Sequence, residues 1–153
     1  MNTAKAVSTV TRPNDTTAYT AGDVVADTPG TRFTFSGLPI STGQGGMIQT
    51  VVVIDSVVAA TPPDLELWLF DADVAAIADN AAFAPTDAEL LNLVGIVTLA
   101  TASFKKGTVN QACVSQNLGC SFKSDILYGV LVVRNAYTPT ANEVFKVVLS
   151  VIR

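Results

Sequence analysis

"LELWLFDADVAAIADNAAFAPTDAEL" (residues 65–90) is the stretch whose reading decides the fold. Its first six residues alternate. Leu65, Leu67 and Leu69 fall on one side and Glu66, Trp68 and Phe70 on the other, which is the period of a β-strand. The alternation then stops, and Asp71, Asp73, Asp79 and Asp87 follow among alanines. The segment closes on "PTDAEL", where Thr86 and Glu89 have the spacing of a capping box: the threonine hydroxyl accepts from the third helical amide, and the glutamate reaches back to the cap. Asp87 sits in the first turn, where a carboxylate favours the helix dipole. The stretch therefore reads as a strand, a connection built from capping residues, and a short helix near 86–93. Leu90, Leu91 and Leu93 are expected to face a sheet.

No other part of the chain reads as helix. Strands are expected over 32–36, 47–58, 65–70, 94–104, 126–137 and 143–153, with shorter ones at "AVSTVT" (6–11), "DVVAD" (23–27) and around the two cysteines. In the last strand Phe145, Val147, Leu149 and Val151 point one way, and Lys146 and Ser150 the other. "DTPG", "STGQGG", "ATPPD", "KKGT" and "YTPTAN" carry turn chemistry between them. Eight or nine strands at this spacing give an all-β fold, an antiparallel β-sandwich with jelly-roll-like winding. Residues 13–153 form one sandwich domain, and residues 1–12 are an N-terminal arm or an edge strand.

At 153 residues, 49% apolar and 14% charged, the chain is long and apolar enough to bury a core. Its mean hydropathy is positive, which means either thorough burial or apolar surface that a partner covers. No apolar run reaches membrane-spanning length, and "MNTAKAVSTVTRPNDTT" lacks the apolar core of a secretory signal, so the default compartment is the cytoplasm of the producing cell. Net charge is −4 with nine basic residues scattered along the chain, which argues against nucleic acid and membrane surfaces as partners. Histidine is absent, removing Ser-His-Asp and Cys-His nucleophile activation and the commonest zinc ligand.

Two chemical readings of the aspartates fail on the sequence. Asp71, Asp73 and Asp79 occupy positions 1, 3 and 9 of a notional EF-hand, but Ala75, Ala76 and Ala82 stand where an acceptor, a glycine and a bidentate glutamate are needed. Asp71 and Asp73 as a glycosidase pair have nothing to raise the pKa of one of them. Asp71 is expected to end its strand, and Asp79 with Asn80 to cap a turn. "STGQGG" has no lysine and enters no helix, so it is no P-loop. No catalytic residue, metal ligand or cofactor site is expected. Cys113 and Cys120, in "CVSQNLGC", have neither CxxC spacing nor further Cys or His ligands. They read as thiols facing each other across a hairpin, reduced or, in an oxidising medium, joined as a disulfide. "KAVSTVT" (5–11) is β-prone without a neighbouring partner in sequence. Lys5, Val7, Val10 and Arg12 are therefore candidates for a contact arm that adds a strand to a neighbour's sheet edge, the alternative being an ordinary edge strand.

Three stretches together, "VTRPNDTTAYTAGDVVAD" (10–27), "LELWLFDADVAAIADNAAFAPTDAELLNLVGIV" (65–97) and "LYGVLVVRNAYTPTANEVFKVVLSVIR" (127–153), resemble small structural proteins of tailed bacteriophages and prophages, of the head decoration or cement type. "TVNQACVSQNLGC" (108–120) lies outside the resemblance. The resemblance implies a virion component on the outer capsid surface, made in the host bacterial cytoplasm. Such a component binds the major capsid protein of the expanded head, bridges neighbouring capsomers as a homotrimer, and brings no catalytic residues. A different class of function is a β-sandwich module of a head or tail fibre that binds host glycans, with Trp68, Tyr128 or Tyr137 as the stacking surface.

Overall fold

The computed structural model describes residues 2–38 and 43–153. The turn expected at "STGQGG" (41–46) therefore lies partly outside the described residues. The elements in chain order are β1 (Thr3–Thr11), β2 (Val24–Val25), β3 (Phe33–Ser36), β4 (Gly46–Asp55), β5 (Leu65–Phe70), α1 (Asp87–Leu90), β6 (Leu93–Leu99), a 3-10 turn (Thr101–Ser103), β7 (Lys105–Lys106), β8 (Gln111–Phe122), β9 (Ile126–Val133) and β10 (Val144–Ile152). They make two antiparallel sheets. Sheet I has the order β1-β10-β4-β8-β7; sheet II has β2-β9-β5-β6, with β3 also on β9. The expected antiparallel β-sandwich is the observed architecture. Leaving aside the two-residue β2 and β7, the strands pair as a nest: β1 with β10, β3 with β9, β4 with β8, β5 with β6.

Period two drives the packing. Phe145, Val147, Leu149 and Val151 of β10 and Ile48, Val51 and Val53 of β4 point inward, against Leu65, Leu67 and Leu69 of β5, Leu127, Leu131 and Val133 of β9, and Phe33 and Phe35 of β3. Each such side chain contributes roughly 1.5–3 kcal/mol by leaving water. Where the sheets approach at their sides, the contacts are specific. Thr34 of β3 donates its amide to the Ser8 hydroxyl of β1 at 3.0 Å. Gly95 of β6 leaves room for Cys120 of β8, whose sulfur lies 2.9 Å from where a Cβ would stand.

Residues 71–86 form a strap across the outer face of sheet II. Val74 of the strap packs with Phe70, Val130, Val132, Val24 and Ala26 in a second core, completed by half-buried Trp68, Ile77 and Phe83. Phe70, on the same side of its strand as Glu66 and Trp68, is fully buried there. Phe83 meets the Trp68 ring edge-on, centroids 5.1 Å apart. The strap is tied by main chain to the segment beside it, with Asn80 N to Val24 O and Phe83 N to Gly22 O, each at 2.9 Å.

The capping box forms: Glu89 N donates to the Thr86 hydroxyl at 3.2 Å, and Thr86 N to Glu89 Oε2 at 2.8 Å. Two expectations about this helix need correcting. It ends at Leu90, because Leu93 already pairs with Phe70 in sheet II. Its leucines do not face the sheet: Leu90 is 37% and Leu91 87% exposed. Val74, Ile77 and Phe83 have already taken the surface they would cover.

Candidate functional site

Two features carry chemistry or recognition: a buried cluster of ionisable side chains at one end of the sandwich, and the bare outer face of sheet I.

Arg12 follows the last residue of β1 and turns inward, only 1% exposed. Its Nη2 meets Asp79 Oδ2 of the strap at 2.9 Å, its Nη1 donates to the Thr140 carbonyl at 3.0 Å, and its Nε donates to the Tyr19 hydroxyl. Tyr19 in turn donates to Asp79 Oδ1 at 2.5 Å, and the Ala26 amide donates to the same oxygen at 3.0 Å. A buried charge persists only when paired and hydrogen-bonded, and here each partner supplies what the other lacks. Burial, then the adjacent Asp79, pushes the Tyr19 hydroxyl well above the usual phenol range.

The Tyr19 and Tyr137 rings are near-parallel at 6.4 Å and lead to the second half of the cluster. Tyr137 donates to Glu143 Oε1 at 2.6 Å, and the Thr140 amide to Glu143 Oε2 at 2.6 Å. Beside Glu143 lies Asp55, the last residue of β4, which accepts from Gln111 Nε2 at 2.7 Å and from Val57 N at 3.0 Å. Burial first, and the negative charge of Glu143 second, push the Asp55 carboxyl up to about 7. The Asp55 carboxyl therefore keeps its proton well above the usual carboxylate range. Chemically this is an acid–base pair, but one enclosed by its own chain. Asp55 is 0% and Glu143 1% exposed. The groove of about 330 Å³ beside Tyr137 is lined by Val57, Val58, Ala59, Ala60, Thr61, Ala136, Thr138 and Thr140, not by either carboxylate. The cluster ties β1, the strap, β4, β8 and the turn before β10 into one end.

The expected contact arm is paired with β10 in register along all of β1, from Thr3 opposite Ile152 to Thr11 opposite Val144. Val10 and Arg12 are buried within their own chain, so neither reaches a partner; this corrects their assignment as contact residues. Lys5 and Val7 point outward. The hairpin reading of the cysteines is also corrected. Both lie in β8, seven residues apart, roughly 20 Å along a strand, where a disulfide needs Cα atoms within about 7 Å. Cys113 points into the core, where burial raises its thiol pKa, and both cysteines are free. Asp73 pairs with Arg32 at 2.5 Å on the surface. Asp79, expected as a turn cap, is the counter-ion of Arg12, while Asn80 makes the turn at φ 60°. Among the described residues, no three Cys, Asp or Glu side chains converge as a metal site would need.

Sheet I turns a different kind of surface to solvent. Register aligns Val7, Val148, Val52 and Val114 in one row across β1, β10, β4 and β8. The next row is Thr9, Lys146, Ile54, Ala112 and Lys105; on the other side run Lys5, Ser150, Thr50 and Gln116, then Thr3, Ile152, Met47 and Ser121. Val7 is 60%, Val114 46% and Met47 36% exposed. The only charges in these rows are Lys5, Lys105 and Lys146; no carboxylate occurs in them. A groove of about 340 Å³, lined by Ile54, Ser56, Val109, Asn110, Val144 and Lys146, extends the face at one end. The sign in the sequence is "TVVVI" (50–54), apolar in both registers, as strands covered on both faces are.

Trp68 makes no open stacking platform. Phe83 covers its ring edge-on, and its Nε1 donates to Glu66 at 3.1 Å. Tyr137 is buried. No protein-family model matches the chain, and no curated protein matches it significantly.

Proposed function

We propose that this chain is a structural subunit of a tailed-phage or prophage virion, a jelly-roll-like decoration protein of the outer head surface, made in the host bacterial cytoplasm. It binds the major capsid protein of the expanded head and holds neighbouring capsomers together, acting as a homotrimer. The observation that carries the reading is the valine row of sheet I. The chain covers the outer face of one sheet with its own strap and leaves the other apolar, a pattern suited to a surface that other protein covers. The sequence resemblance supplies the assembly. The buried Asp55–Glu143 pair, out of reach of any substrate, favours a non-catalytic role.

The mechanism is mass action. A ligand that binds only the assembled lattice stabilises it by RT ln(1 + [L]/Kd) at every site, so many modest contacts reinforce one shell. Stained-gel densitometry of purified virions tests this directly. Hundreds of copies, approaching one per capsid subunit, are expected. A handful would place the chain at a vertex, fibre or tail and favour the glycan-binding module, which the covered Trp68 argues against.

A further inference from the structure

We infer that sheet I is covered by a second copy of this chain, docked head to tail, with the α1 end of one copy seated on the sheet I face of the next. The inference concerns the purified chain alone and does not rest on the capsid reading.

Two surfaces remain apolar and uncovered, and they differ in kind. One is flat: the valine row and the groove formed by Ile54, Val109 and Val144, with Lys5, Lys105 and Lys146 its only charges. The other is a knob. Leu91, 87% exposed and the most exposed large apolar residue described, stands at the end of α1 with Leu90 beside it. The charges on α1 itself are carboxylates, Asp87 and Glu89, with no basic residue in its last turn. Asp87 lies one turn before Leu91, whose amide donates to its carbonyl, and Asp71 is joined to the next residue, its amide donating to Asn92 O at 3.0 Å.

Neither surface is complementary to itself. Two sheet I faces brought together bring lysines with no carboxylate in their rows to pair them, and two α1 ends bring Asp87 and Glu89 with no cation on the helix. Each is complementary to the other, in shape because a leucine fits a groove lined by Ile54, Val109 and Val144, and in charge because Asp87 and Asp71 then meet the lysines. Desolvating apolar area at the centre with opposite charges at the rim is the anatomy of a specific interface. A contact between unlike patches cannot close as a dimer: it closes as a ring of three or more, or runs on as a filament.

Sedimentation velocity across a concentration series, with no capsid present, tests this on three samples. The wild-type chain is expected to assemble beyond a monomer. Leu91→Lys sets a cation against the lysine face, and Val109→Glu, at a position 73% exposed, sets an anion against the acidic knob. Each alone is expected to weaken assembly at least about tenfold while leaving unchanged the melting temperature measured at a concentration too low for assembly, since neither side chain is in the core. Mixing the two variants is expected to restore association, because the intact knob of one meets the intact groove of the other. A wild-type chain that stays monomeric at the highest soluble concentration overturns the proposal. So does assembly that survives both substitutions, or a mixture that fails to recover, which is the signature of a like-on-like contact. Copy number on virions is measured separately, so failure here leaves capsid binding to its own test, although a monomeric chain would also remove the homotrimer.

Discussion

Asp55 is an acid whose folded environment prefers it protonated, because it is enclosed and faces Glu143. The folded chain then binds this proton more tightly than the unfolded chain does. The contribution to stability is greatest below the ordinary carboxylate range of about 4 and declines as pH rises toward about 7. Glu89 works in the opposite sense. The amides of Ala75 and Thr86 hold its pKa low, so its contribution is present above the ordinary glutamate range and lost in acid. Asp55→Asn separates the two. The amide imitates the protonated acid, and Gln111, whose Oε1 is buried without a partner, can turn to accept from it. The variant is expected to fold and to lose the decline in melting temperature between about pH 4 and 7. Melting curves of the two chains that run parallel through that window would show that another group titrates there. Of this cluster the sequence shows only that Asp55 ends an apolar run and Glu143 begins one. That Tyr19, Asp79 and Arg12 belong to the same end is a consequence of β1 pairing with the last strand, a distance in sequence that no local pattern spans.

At the scale of elements, the strap explains the odd composition of residues 71–86. Alanines let the backbone lie close to sheet II, single large residues (Val74, Ile77 and Phe83) plug its surface, and its own aspartates together with Glu89 just beyond it tie it down. Trp68 is the only tryptophan of the chain, so its fluorescence reports whether the strap lies down. Phe83→Ala removes the ring that covers it and is expected to red-shift that emission. The same change should cost about 2 kcal/mol in urea unfolding, less than the roughly 3–5 of a fully buried phenylalanine because Phe83 is half exposed. An unshifted spectrum would mean that Phe83 does not shield the indole. Strand content and the Thr86–Glu89 cap were legible in the sequence because both are set by neighbours within a few residues. The fate of Leu90 and Leu91 was not: helical spacing says they share a side, and only the strap's prior occupation of sheet II says that this side meets water.

For the whole molecule, β1 is part of the sandwich rather than an appendage. Deleting residues 1–11 strips β10 of its neighbour along nine register positions and withdraws Ala6 and Val10 from the core. The truncated chain is expected to melt at least about 10 °C lower and to aggregate through the bared β10 edge. Melting and solubility equal to the full chain would show β1 to be dispensable. The sandwich class was legible from the count and spacing of strands, but the order in which they lie was not, because pairing partners are chosen by the closing of the whole roll. That order has a consequence for how the molecule is made. β10 lies between β1 and β4, so sheet I has a gap in its middle until the ribosome has delivered residue 152. Sheet II and the β4–β8–β7 part of sheet I can pair before then, but β1 and the free edge of β4 stay unjoined, so a nascent chain stalled a dozen residues short is expected to expose sheet edges to chaperones and proteases.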